Sequence, residues 1–154
     1  MSSPETRLQE LGITLPTPPK SVAKYKPAVL VGNLLYVSGH GPAKGDPALM
    51  AGKLGAKLTL EQGKECARLV GINILATVKN TIGSLDRVKR LIKTLGMVNA
   101  TPDYRDHPQI INGFSELMAQ VFGDDAGVGS RSAVGMGSLP GDIPVEIECM
   151  FEVE

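Results

Sequence analysis

The chain has no tryptophan, and its 154 residues include only three tyrosines and three phenylalanines. Tyr25, Tyr36, Tyr104, Phe114, Phe122 and Phe151 are scattered along it, whereas a stacking platform for single-stranded nucleic acid needs several rings on one face. Neither sign of charge is in excess, since 16 lysines and arginines balance 16 aspartates and glutamates. A non-specific binder of nucleic acid or anionic membrane would carry a basic surplus. Cysteine is nearly missing too. Cys66 and Cys149 lie outside any CxxC or Cys/His cluster, which argues against structural zinc and a disulfide framework. With His40 and His107 the only histidines, a catalytic metal would have to lean on carboxylates. No apolar run approaches the ~20 residues of a membrane span. The opening Met1-Ser2-Ser3-Pro4-Glu5 lacks the basic-then-apolar layout of a signal peptide. The expectation is a cytoplasmic protein with neither membrane nor nucleic acid as partner.

What is present suits a soluble globular protein: 42% apolar and 21% charged residues, enough to bury a core without staples. Ser3 as cap, Pro4 at the first helical position and Gly12 as terminator predict a short first helix. Leu15-Pro16-Thr17-Pro18-Pro19-Lys20 reads as an extended, proline-stiffened connector. Residues 1–20 are thus expected to be an appendage on one domain spanning 21–154. Two apolar runs, 28–31 and 34–38, flank Gly32-Asn33 and predict a hairpin. Residues 43–58 are rich in turn residues and read as loop.

Thr59-Leu60-Glu61-Gln62 matches a capping box, and Ala67, Val70, Ile74, Val78 and Ile82 recur behind it at helical spacing. A helix over 60–82 follows. Residues 88–98 read as a strand. Ile110, Ile111, Phe114, Leu117, Met118, Val121 and Phe122 trace one face of a second helix between Pro108 and Gly123. Two further strands close the chain, 132–136 and 145–154. In the last, odd positions are apolar and even ones acidic except Met150, the period of a half-buried strand. The order ββαβαββ predicts an α+β fold, with two long helices on one face of a sheet and a short extra helix before it.

Several residues could carry chemistry. Arg131 follows Gly127-Val128-Gly129-Ser130 at the mouth of the penultimate strand. A guanidinium there reads either as a carboxylate grip or as a surface cation. Glu146, Glu148, Glu152 and Glu154 share one expected strand face, solvated unless one of them orients a water or moves a proton. Tyr25 and Asn112 are each as consistent with structure as with function. His40, between glycines at a strand end, reads as a general base or as a loop residue bonding backbone. Cys66 and Cys149 read as core thiols.

Gly129-Ser130-Arg131-Ser132-Ala133-Val134, Leu139-Pro140 and Val145-Glu146-Ile147 together resemble the motif of the RidA family, also called YjgF/YER057c/UK114. The hairpin Val31 to Gly39 resembles that family's amino-terminal hairpin, and the similarity runs from about residue 22 to the end. The extra N-terminal segment and long helices resemble a longer branch, often labelled endoribonuclease L-PSP. The resemblance implies a chorismate-mutase-like fold and a homotrimer with clefts between subunits. It also implies hydrolysis of reactive enamines and imines to 2-oxo acids and ammonia, without a cofactor. Carried over, Arg131 would bind the substrate carboxylate, Glu146 would hold the attacking water and Tyr25 would line the cleft. Ser38, Gly39 and Asn112 match further cleft positions. Gly129 stands where the pattern prefers Pro or Ala, which should loosen the approach to Arg131. Ala133 and His40 replace a common Cys and Gln. The alternatives are a 2-oxo acid binding or sensing trimer without turnover and an endoribonuclease or translation inhibitor. Zero net charge and few aromatics give the last little support.

Overall fold

The computed structural model describes residues 2–154, so Met1 of the expected 1–20 appendage lies outside the described residues. Helix α1 spans Pro4–Glu10, capped by Ser3, whose hydroxyl accepts from the Thr6 amide. Strands β1 (Ala28–Val31) and β2 (Leu34–His40) form the expected hairpin around Gly32, at φ 61°, and Asn33. Helix α2 (Leu60–Ile82) starts with both halves of the capping box: Thr59 Oγ1 accepts the Gln62 amide at 3.2 Å, and Gln62 Oε1 accepts the Thr59 amide at 3.0 Å. Then come β3 (Val88–Asn99), α3 (His107–Phe122), β4 (Ser130–Met136) and β5 (Val145–Val153).

The five strands make one sheet in the order β1-β2-β5-β3-β4. The last two strands of the sequence are therefore not neighbours. β5 inserts between β2 and β3, antiparallel to both, and β4 lies on the edge, parallel to β3. A parallel pair needs a crossover, and α3 supplies it. Cross-strand partners share a face, so Thr94, Gly96 and Val98 of β3 stand with Ile147 and Cys149 of β5 on the side that α2 and α3 cover. Leu35, Phe114, Phe151 and Ile74 are wholly buried in that layer. Each such side chain contributes roughly 1.5–3 kcal/mol by leaving water. Gly113 lets α3 cross α2 closely, because a Cβ there would collide with the Lys64 carbonyl.

The other face of the sheet carries no helix. Val29, Tyr36 and Val134 are exposed on it, beside Lys93, Leu95, Glu148 and Met150. Glu146, Glu148 and Glu152 share this face as expected, but Glu154 lies past the strand end. Residues 43–58 are more ordered than a loop: Pro47–Leu49 forms one helical turn, Leu54 is wholly buried, and Lys53 Nζ donates to Asn99 Oδ1 at 2.7 Å. The N-terminal segment is docked as well. Glu5 accepts the Leu85 amide at 2.9 Å and pairs with Lys79 at 2.8 Å. Burial pushes its carboxyl up, but those partners outweigh it and hold the group below its usual range. No helix among the described residues is long and apolar enough to cross a membrane.

Candidate functional site

The six residues singled out in the sequence do not gather in one place: Arg131 and Asn112 lie at the β4 edge, Tyr25, Gly39 and Glu146 lie around the end of β2, and Ser38 lines the open face. Arg131 stands at the start of β4, on the edge, paired with Thr94 and therefore on the helix-covered face. Its guanidinium is held by α3: Nη1 donates to Ser115 Oγ at 3.1 Å, and Nη2 to the Pro108 carbonyl at 3.3 Å. Pro108, Asn112 and Ser115 follow one another at i, i+4 and i+7, so a single helix face addresses the arginine. Asn112, Ser115, Thr94 and Arg131 line a cavity of about 250 Å³ closed by Gly127-Val128-Gly129. Arginine carries five donors in a rigid fork, and two contacts leave it able to take an oxyanion. Ser115 and Thr94 were not singled out in the sequence. Ser115 falls seven residues after Pro108 on a helix read for its apolar stripe alone, and the parallel pairing that sets Thr94 beside Arg131 has no local signature.

Gly129 does not loosen this corner. A Cβ there would lie 2.6 and 2.8 Å from the carbonyl oxygens of Leu91 and Ile92. The glycine is what allows the chain to enter β4 against β3.

The Gly39 corner holds Tyr25 and His40, with Glu146 of the adjacent middle strand β5 behind the glycine. Tyr25, Gly39 and His40 line a cavity of about 360 Å³ where β1 begins and β2 ends. The register of β2 against β5 shifts between Val37 and His40, a bulge in which Ser38 and Gly39 together face Glu148. Glu146 lies beside the glycine, with Oε2 2.7 Å from where a Gly39 Cβ would be. Burial, and secondarily the Glu148 charge, raise the Glu146 carboxyl above its ordinary value. A carboxyl so raised holds its proton more readily than an exposed one, which suits a group that takes and returns a proton. Ser38 points elsewhere. Its hydroxyl donates to the Lys26 carbonyl at 2.6 Å, and it lines the cavity on the open face with Tyr36 and Glu148.

His40 is not placed as a general base. Nδ1 lies 2.6 Å from the Ser38 carbonyl and Nε2 2.8 Å from Thr77 Oγ1. A carbonyl only accepts, so Nδ1 carries the proton and Thr77 donates to Nε2. Burial lowers its pKa, which keeps the ring neutral. Both cysteines are core thiols: burial pushes Cys66 up to about 12 and Cys149 higher still. No three His, Cys, Asp or Glu side chains among the described residues gather to hold a metal.

Glu146 and Arg131 thus lie on opposite faces of one sheet and do not share a cavity within one chain. A family model described as "YjgF/chorismate mutase-like, putative endoribonuclease" matches residues 5–147. The chain belongs to the YjgF/RidA family. The Trypanosoma cruzi protein TCP17 is 36% identical over 146 residues, covering 95% of this chain and 91% of the relative. Among solved structures, Atu1372 of Agrobacterium tumefaciens shares 39% identity at a TM-score of 0.89, over 98% of this chain and 92% of that one. A protein of Shewanella oneidensis described as "a putative endoribonuclease" shares 30% identity at a TM-score of 0.92, over 99% of this chain and 100% of that one. The fold is the chorismate-mutase-like YjgF/RidA fold. YjgF/RidA membership is consistent with small-molecule processing or binding.

Proposed function

We propose that this chain hydrolyses small 2-imino and 2-enamino acids to 2-oxo acids and ammonia, in a cleft that two copies complete. The observation that supports this most is that Arg131, on the edge strand β4, and Glu146, on the middle strand β5, face opposite sides of the sheet and share no cavity, so one chain alone does not bring them together. Two different surfaces at opposite edges, the Arg131 cavity beside β4 and the Tyr25 cavity beside β1, suit a head-to-tail contact, which closes into a ring when its rotation allows. A homotrimer fits this: the β4 edge of one copy would meet the Gly39 corner of the next, and the exposed apolar side chains of the open face would turn inward.

In such a cleft Arg131, steadied by Ser115 and the Pro108 carbonyl, would grip the carboxylate of the imino acid. Asn112 and Tyr25 would line the sides. Glu146 would hold a water against the imine carbon and accept its proton as the C–O bond forms, leaving a carbinolamine. Starting from the protonated imine, returning that proton to the carbinolamine nitrogen would make ammonia the leaving group, and as the C–N bond breaks the remaining hydroxyl proton would pass to the Glu146 carboxylate, leaving the 2-oxo acid. An imine carbon is already electrophilic, so positioning plus one proton carrier can suffice. Enamino acids would reach the same imine after protonation at carbon.

Mixing two inactive variants tests the shared cleft. Arg131→Ala and Glu146→Gln, refolded together, would regenerate roughly a quarter of intact clefts at random assembly. Recovered ammonia release supports a cleft between copies, and mixtures as inactive as either parent contradict it. A protein that binds 2-oxo acids without turnover would keep its affinity in Glu146→Gln and show no hydrolysis in either form.

A further inference from the structure

The cavity at the Gly39 corner is chemically one-sided. Its polar lining comes from Lys20, Ser21, Tyr25, His40 and Asn73. His40 has both ring nitrogens engaged, and Asn73 Nδ2 donates to the Gly41 carbonyl at 3.0 Å. The side chains of Lys20, Ser21 and Tyr25 make no hydrogen bond or ion pair with any described residue. All three can donate, and one is a cation. No carboxylate lines the space among the described residues, since Glu146 lies behind Gly39. Three free donors around a cavity of about 360 Å³, with no acid to answer them, describe a seat for an anion.

The N-terminal segment builds this seat. Ile13 and Leu15 pack against the core, and Pro16, Pro18 and Pro19 stiffen the four residues before Lys20. The lysine backbone is thereby carried to the cavity rim with little freedom left to lose on binding. A prolyl strap fixed at its base would be a costly way to place an ordinary surface lysine.

We propose that Lys20, with Ser21 and Tyr25, binds a second anionic group of the substrate, so that the preferred substrates are 2-imino dicarboxylic acids. In this arrangement Arg131 of a neighbouring copy takes the carboxylate beside the imine and Lys20 takes the distal one. The substrate assignment rests on the imine-hydrolysis reading; the anion seat does not.

The test compares binding of 2-oxoglutarate and 2-oxopentanoate, which match in chain length and differ in the distal carboxylate, by titration calorimetry. Wild type is expected to bind the diacid about tenfold more tightly. Lys20→Ala should bring the two acids within about twofold, Lys20→Arg should keep the preference, and added salt should narrow it. Equal affinities in the wild type, failure of both acids to bind, or a preference that survives Lys20→Ala overturns the seat. Turnover is read separately, on imines of dicarboxylic and monocarboxylic amino acids. A Lys20-dependent binding preference without turnover keeps the seat and removes the hydrolysis reading. Turnover with no Lys20-dependent preference does the reverse.

Discussion

Gly39 and Glu146 stand so close that a methyl group on the glycine would lie 2.7 Å from the glutamate Oε2. The bulge in β2 creates this contact by bringing an extra residue opposite β5. It ties the shape of the Tyr25 cavity to the position of the one carboxyl in this corner that is raised by burial.

Gly39→Ala is therefore expected to fold. The atom it meets is the free end of a flexible side chain, which can turn aside. Glu146 would be displaced from the cleft, and kcat should fall by at least ~10-fold while the melting temperature moves little. A drop in melting temperature comparable to that of a core truncation would contradict this placement.

Glu146→Gln separates stability from turnover. Because the folded chain raises this carboxyl, it holds the proton more tightly than the unfolded chain does. The stability linked to that proton is present below the ordinary value of 4.5 and is lost as pH rises through the folded value. A neutral amide escapes this loss. The variant should melt higher than wild type at pH 7, the gain should vanish toward pH 4, and hydrolysis should be abolished. Melting curves across that range check the sign.

Gly129→Ala should be destabilising, because its Cβ would meet the backbone oxygens of Leu91 and Ile92 instead of a movable side chain. The expected loss is about 2–4 kcal/mol, read as a lower urea midpoint.

Ser115→Ala should leave Arg131 charged but less well aimed. Loss of the 3.1 Å contact from Nη1 should raise KM about three- to tenfold with kcat nearly unchanged. Ser115→Thr, which keeps the hydroxyl, should recover most of it. A kcat effect without a KM effect would place Ser115 elsewhere in the reaction.

Much of the fold was legible because local signals agree with it. The Thr59–Gln62 capping box, the Gly32-Asn33 turn, the apolar stripe of α3 and the alternation of β5 each depend on neighbours close in sequence. Strand order does not. Nothing near residues 130–136 announces that β4 pairs in parallel with β3, and the long crossover through α3 is resolved only by tertiary packing. Candidate site residues could be named from the sequence, but their arrangement could not. Gly129 read as a loosened approach because the Leu91 and Ile92 carbonyls that demand it lie far away in sequence. His40 read as open to catalysis because Thr77 is 37 residues distant.

The most direct test of the central claim is ammonia and 2-oxo acid release from imines generated in situ by an amino-acid oxidase, with wild type run beside Arg131→Ala. The account predicts acceleration by the wild type that disappears in the variant. No acceleration across imines of several side-chain types, or acceleration that survives loss of Arg131, would contradict it.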